Sequence, residues 1–253
     1  MFDIGANLTS SHFSKDLNEV LNDSLTAGVK KICITSSNLN DVKNAKKITD
    51  KHENLYYSVG FHPHNAKDFK IEFLKDMSIY LADPKAICLG EMGLDFNRNF
   101  SSKDEQILCF ESQLSLANSI SKPLFLHQRD AHEEFLSVLD NNKFNQKLIV
   151  HCFTGNLSEL EDYLNRDFYI GITGWVCDLK RGKELRECIN HIPEGKLLIE
   201  TDSPYLSPRK KIRRNEPKFL IDVAEEVASL RHETKESIIN SSYENSLDFF
   251  NLH

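Results

Sequence analysis

Three observations predict a closed (β/α)8 barrel, the TIM-barrel class of α/β fold. Short apolar runs, most of them rich in Val, Ile and Leu and bounded by turn residues, alternate with amphipathic helical stretches along all 253 residues. Eight such runs can be counted, the number that closes a parallel sheet on itself. Several of them end on a carboxylate or an imidazole, at the end of a parallel strand where α/β folds keep their chemistry.

In order, Phe2 to Asn7 reads as the first strand, and Asp16 to Ala27 as a helix with Leu17, Val20, Leu21 and Leu25 on one face, stopped by Gly28. Lys30 to Ser36 is the second strand, and Asn40 to His52 a helix that turns Val42, Ala45 and Ile48 inward. Leu55 to Gly60 is the third strand, running into Phe61-His62-Pro63-His64, and a helix follows over Ile71 to Leu81. The fourth strand, Ala86 to Gly90, ends in Glu91. A long helix is expected over Asp104 to Ser121, with Ile107, Phe110, Leu114 and Ala117 inward.

The fifth strand, Pro123 to Leu126, ends in His127, and a helix covers Ala131 to Leu139. The sixth, Lys147 to Val150, ends in His151 and leads to a helix over Leu157 to Leu164. The seventh, Phe168 to Ile172, ends in Thr173-Gly174-Trp175, with a helix over Gly182 to His191. The eighth, from Lys196, carries the acidic tip Glu200-Thr201-Asp202 and is stopped by Pro204. Helices at Leu220 to Leu230 and Lys235 to Phe249 close the chain. No Gly/Ser-rich linker or change of composition marks a boundary, so residues 1–253 are expected to form a single domain.

Composition narrows the function. A net charge of −7 gives no global positive field to draw the chain onto nucleic acid or an acidic membrane, so a polyanion must be held by a local basic patch or through metal ions. The six cysteines include no C-x-x-C pair, and several stand inside apolar runs, which reads as reduced thiols in a reducing compartment. The N-terminus has neither a basic n-region nor an h-region, and no window has the length of a membrane span. A cytoplasmic monomer without membrane contact is expected.

Barrel strands converge at their C-terminal ends, which gathers His62, His64, Glu91, His127, His151 and Asp202 at one mouth. A lone histidine there is more often a core or capping residue. Ligand-type residues at successive strand ends point instead to a divalent ion, with Glu91, His127, His151 and Asp202 as its ligands. Zinc, manganese and iron suit imidazole with carboxylate, and magnesium suits carboxylates with water. Such an ion lowers the pKa of bound water, and Asp202 is the candidate base, with Glu91 holding the ion or bridging two.

The motifs resemble the TatD family of metal-dependent deoxyribonucleases, within the amidohydrolase-like hydrolases. The resemblance spans nearly the whole chain and is carried by Met1-Phe-Asp-Ile-Gly-Ala-Asn-Leu-Thr-Ser-Ser11, Gly60-Phe-His-Pro-His64, Gly90-Glu-Met-Gly-Leu-Asp-Phe-Asn-Arg-Asn-Phe100, His127-Gln-Arg-Asp-Ala-His132, His151-Cys-Phe-Thr-Gly155, Tyr169-Ile-Gly-Ile-Thr-Gly-Trp-Val-Cys177, Leu198-Ile-Glu-Thr-Asp-Ser-Pro-Tyr-Leu206 and Arg213-Arg-Asn-Glu-Pro217. It implies 3′→5′ exonuclease activity on DNA, single-stranded by preference, with magnesium or, in its place, manganese or zinc. It also implies Glu91, His127 and His151 as metal ligands and Asp202 at the catalytic centre. The wider family has His-x-His at the end of the first strand, where this chain has Gly5-Ala6-Asn7, a feature of the TatD-like subgroup. One firmly held ion is therefore expected, with a second recruited by substrate phosphate.

His62, His64, Asn7, Asp95, Arg129, Arg213 and Arg214 are the expected substrate-binding residues. Several carry a plainer alternative. Asp95 can hold its loop through an Asx turn, and Arg129 can pair with Asp130 behind His127. Part of the basic run Arg209 to Arg214 can tie the loop down, and Trp175, Phe61 and Phe96 can pack as readily as stack on a base. Two rival functions share these features: a metal-dependent hydrolase of a small cyclic amide or ester, and a non-catalytic binding protein. A further alternative keeps the chemistry and changes the substrate to another nucleic acid or a nucleotide conjugate.

Overall fold

A computed structural model describes residues 1–252. Its eight strands follow one another in the sheet in chain order, the arrangement of the (β/α)8 class that the alternation predicts. The chain divides into two compact units: Thr35–Val150, and Met1–Ile34 with His151–His253.

The Thr35–Val150 unit contains β3 (Leu55–Val59), β4 (Ala86–Asp95), β5 (Leu124–Arg129) and β6 (Leu148–Val150). Helices α2 (Leu39–Thr49), α3 (Phe73–Leu81), α4 (Lys103–Leu114) and α5 (His132–Asp140) accompany them. Neighbouring strands pair in parallel from β3 to β6. Strand β4 is buried along its whole length, as expected of a strand covered on both faces. Phe110 stacks on Phe135 at 5.5 Å between ring centroids, and Phe61 on Phe73 at 5.6 Å. Phe61 is therefore a core residue, only 3% exposed, which removes it from the candidate base-stacking residues.

Three elements of this unit depart from the sequence reading. Strand β5, expected over Pro123 to Leu126, runs on to Arg129, so His127 stands inside the strand. Strand β4 does not stop at Gly90 but runs on to Asp95. Its register with β5 shifts between Gly90 and Met92, so Glu91 is the extra residue of a bulge, a device that re-aims a side chain. Gly90 and Gly93 make this possible. Both have positive φ, and a side chain at either would collide with the carbonyl of Phe125 or His127. The long helix expected to Ser121 ends at Leu114, and a separate 3-10 turn spans Ala117–Ser119. Ser115 donates to the Ser112 carbonyl and Ser119 to that of Leu116, local bonds that compete with the helical ladder.

Helix α4 starts on a capping box between Ser102 and Glu105. It also turns two glutamines inward, seven positions apart and therefore on one face. Each side-chain amide pairs with the backbone just after or at the end of a strand. Gln113 bonds both backbone polar groups of Phe61, at 2.7 and 3.0 Å, and Gln106 does the same for Asp95, at 2.8 and 3.0 Å.

The second unit contains β1 (Phe2–Ala6), β2 (Lys31–Ile34), β7 (Tyr169–Ile172) and β8 (Leu197–Ile199). Helices α1 (Leu17–Thr26), α6 (Leu157–Asn165), α7 (Lys183–Cys188), α8 (Leu220–Arg231) and α9 (Lys235–Phe250) belong to it. The helix expected over Gly182 to His191 is α7 followed by a 3-10 turn over Ile189–His191. Phe250 packs against Phe2 and Phe249 against Tyr169, so the last helix closes over β1 and β7. Pro217 opens a 3-10 turn that leads into α8, where its missing N–H leaves nothing unsatisfied. Among the described residues no helix is long and apolar enough to cross a membrane.

Candidate metal centre

The Thr35–Val150 unit gathers His62, Glu91 and His127, whose donor atoms all lie within 4.8 Å of one another. His62 follows β3, Glu91 stands at the bulge of β4, and His127 is a residue of β5. One carboxylate oxygen, Glu91 Oε1, lies 3.0 Å from His62 Nε2 and 3.0 Å from His127 Nδ1. Lone pairs repel at that distance, so each contact needs a proton or a cation between its atoms.

For His62 the proton is assigned by its other nitrogen. Nδ1 accepts the backbone N–H of His64 at 3.0 Å, which leaves the neutral ring its proton on Nε2, directed at Glu91. Burial pushes the His62 pKa down to about 4, against the pull of Glu91, so the ring is neutral near pH 7. His62 thus holds Glu91 in place, and donates to it as the ring stands. His127 faces a carboxylate with each nitrogen: Glu91 at Nδ1, and Asp95 Oδ2 at 3.6 Å from Nε2. An imidazole backed by a carboxylate is the usual setting of a metal-binding histidine.

Asp95 was expected at the substrate, but its side chain is 1% exposed and turned toward protein partners. Its Oδ1 accepts the N–H groups of Asn97 and Arg98, both at 2.9 Å, in the Asx turn that was its alternative reading. Its Oδ2 lies 2.7 Å from His64 Nε2. Burial works to raise the Asp95 pKa, yet the His127 and His64 rings and the Arg98 N–H hold it well below the usual carboxylate range. Asp95 is therefore a charged group that orients both rings. Asp130 accepts from Asn97 at 2.6 Å, and the Arg129 carbonyl accepts the N–H of Phe96 at 2.9 Å, both tying the loop after β4 to the end of β5.

His151 and Asp202 belong to the other unit. His151 is 2% exposed, and its Nδ1 lies 3.3 Å from Glu200 Oε2. The second oxygen of Glu200 accepts the Cys152 N–H at 2.6 Å, so Glu200 sets both the ring and the backbone that follows it. Asp202 Oδ1 accepts from Asn7 Nδ2 at 2.8 Å. Asn7 was expected to bind substrate, and here it orients the carboxylate. Beneath it Asp3, fully buried, bonds the Thr201 hydroxyl at 2.5 Å and accepts the Thr201 N–H at 2.9 Å. Burial drives the Asp3 pKa up to about 8 although both bonds from Thr201 oppose the rise.

Asp3, Gln106 and Gln113 escaped the sequence reading, which noted Glu200 only as part of the acidic tip and gave it no role. Glu200 follows the last residue of β8 directly.

The basic run after β8 is divided in its roles. Arg209 forks onto both oxygens of Asp222, at 2.8 and 3.0 Å. Arg214 bonds both oxygens of Asp16, at 3.0 and 2.7 Å, as well as Glu216 and the His12 carbonyl. Its guanidinium is taken up in anchoring the loop. Lys210, Lys211 and Arg213 are exposed. Trp175 donates to the Arg181 carbonyl at 3.0 Å, and the Arg181 guanidinium covers its ring at 4.7 Å.

A (β/α)8 fold with two imidazoles and a carboxylate gathered on or just after three successive strands, all buried or nearly so, defines a metal-dependent hydrolase. The family model described as TatD related DNase matches residues 2–251, and the chain belongs to that family. It is 45% identical over 242 residues to the 3'-5' ssDNA/RNA exonuclease TatD of Citrobacter koseri, covering 92% of each chain. The protein of the same name from Citrobacter rodentium is 41% identical, with 100% of this chain and 98% of that one covered. Among solved structures, YJJV, a TatD homologue from Escherichia coli K12, superposes with a TM-score of 0.92 at 25% identity, over 100% of this chain and 98% of that one.

Proposed function

We infer that the chain is a metal-dependent 3′→5′ exonuclease that hydrolyses phosphodiester bonds of single-stranded nucleic acid. The observation that carries this reading is the cluster of His62, Glu91 and His127, oriented by Asp95, in a chain so similar to relatives named for that activity. Those names cover RNA as well as DNA, so the substrate class is broader than DNA alone.

The donor set fits a divalent ion. Glu91 and His127 offer a carboxylate and an imidazole whose 3.0 Å contact a cation would satisfy, and both are buried or nearly so. When bound there, a divalent ion polarises a phosphoryl oxygen and lowers the pKa of water. His62 keeps Glu91 aimed, and Asp95 keeps the His127 ring turned and charge-balanced. For His151 we propose a ligand role, supported by the Glu200 carboxylate that backs its ring, and for Asp202 the role of proton acceptor, supported by the Asn7 bond that fixes its carboxylate. In the run after β8, Lys210, Lys211 and Arg213 are exposed cations available to a phosphate backbone. Magnesium is the proposed ion, and a cytoplasmic monomer the proposed form.

The test is release of nucleotides from 3′-labelled DNA and RNA strands with magnesium, manganese or zinc, against a chelator control. Stepwise shortening from the 3′ end that needs an added ion is the expected result. No release under any ion would remove the nuclease reading.

A further inference from the structure

Phe100 is the outer end of a row of rings that leads to the donor cluster. Its side chain is 54% exposed, and its ring meets His64 edge-on with centroids 4.9 Å apart. His64 lies 4.2 Å from His62, and His62 4.5 Å from His127. An exposed phenyl ring is common on a protein surface, but this one stands on a pinned loop. Asp95 holds the N–H groups of Asn97 and Arg98. Asn99 donates to the Phe96 carbonyl at 2.7 Å. Ser101 accepts the Lys67 N–H and donates to the His64 carbonyl, while Gln106 holds the Ser101 carbonyl at 3.0 Å. The loop backbone is thus fixed at both sides of an outward-facing ring. Arg98, two residues before it, is exposed, and the Lys103 ammonium lies over the Phe96 ring at 4.2 Å.

We propose that Phe100 is a stacking platform for a nucleobase beside the scissile phosphate, and so a specificity residue for unpaired 3′ ends. The inference rests on the exonuclease reading above. Every base offers a π-face, so a lone ring binds without regard to sequence, and an exposed arginine on the same loop suits the backbone. A base laid on Phe100 while its phosphate is at the donor cluster has left its own stack. That costs less in a single strand than in a duplex, where pairing must be broken as well.

The experiment compares wild type with Phe100→Ala, Phe100→Leu and Phe100→Trp. Substrates are single strands with either an intact 3′ end or an abasic analogue at the terminal or the penultimate nucleotide. Phe100→Ala is expected to lose about tenfold in kcat/KM on intact strands, mostly through KM. Phe100→Leu should lose nearly as much although it remains apolar, and Phe100→Trp should lose little. At one of the two abasic positions wild type should fall to the level of Phe100→Ala. In a second arm, strands carrying 2-aminopurine are titrated in chelator, so that no turnover is needed. Wild type and Phe100→Trp should quench the probe on binding, and Phe100→Ala should not.

Equal kinetics for wild type and Phe100→Ala, or the same deficit on intact and abasic strands alike, would overturn the proposal. So would quenching that survives Phe100→Ala. A wild type that releases no nucleotide under any ion sinks the exonuclease reading alone, and the 2-aminopurine arm still decides Phe100.

Discussion

Replacing Gln106 by leucine isolates the contribution of one buried amide to the loop that carries Asp95 and Phe100. Leucine fills nearly the same space but neither donates nor accepts. The Gln106 side chain accepts the Asp95 N–H at 2.8 Å and donates to the carbonyls of Asp95 and Ser101, each at 3.0 Å. Asp95 is 1% exposed and Ser101 3% exposed, so water does not replace the lost partners. Orphaning a buried polar group costs about 1–3 kcal/mol, and three groups at the low end come to about 3 kcal/mol. In a protein of this length that lowers Tm by roughly 10 °C. Urea unfolding followed by circular dichroism should show a lower midpoint with an unchanged m-value. Leu108→Gln, two residues along the same helix at a position 63% exposed, is the silent control. A loss below about 1 kcal/mol for Gln106→Leu, within the ordinary worth of a single hydrogen bond, would refute the claim that the amide substitutes for a missing backbone partner.

Glu91→Gln keeps the shape of the cluster but removes its charge, so divalent-ion binding by calorimetry should weaken, and turnover should fall by more than about hundredfold with the circular dichroism spectrum unchanged. Full activity would place the chemistry elsewhere. Asp3 holds a proton in the folded chain up to about pH 8 that the unfolded chain has released above its ordinary value of 3.8. Stability should therefore fall as pH rises through that window, by about 1.4 kcal/mol per unit, and level off above it. Unfolding measured at several pH values should show that Asp3→Asn removes this slope, and identical slopes in both proteins would contradict the assignment. Arg214→Ala should make the loop after β8 more open to protease nicking while leaving KM for a strand within a few-fold. About a tenfold rise in KM with unaltered nicking would show that the guanidinium contacts phosphate.

The alternation of strands and helices was legible because each element announces itself within a dozen residues, by its own period. So were the strand-end residues, since a polar residue closing an apolar run is a local irregularity. What escaped depended on partners distant in the chain. Gly90-Glu-Met-Gly93 reads as a loop until β5 pairs with it and carries β4 on to Asp95. Gln106 and Gln113 look like solvated helix positions until β3 and β4 end beside them with unpaired backbone. His62 looked like a substrate contact. Only the bond from the His64 N–H to its Nδ1 reveals which nitrogen carries the proton and that it is directed at Glu91.

By itself, then, the order of residues determined the class of fold, the family and the kinds of atoms available for chemistry, because periodicity and ligand type are properties of short stretches. The tertiary structure decided which of those atoms share a proton, which are spent on holding a loop, and which ring is left facing outward. Those outcomes follow from burial and from hydrogen bonds between distant segments, neither of which a single stretch of chain can specify.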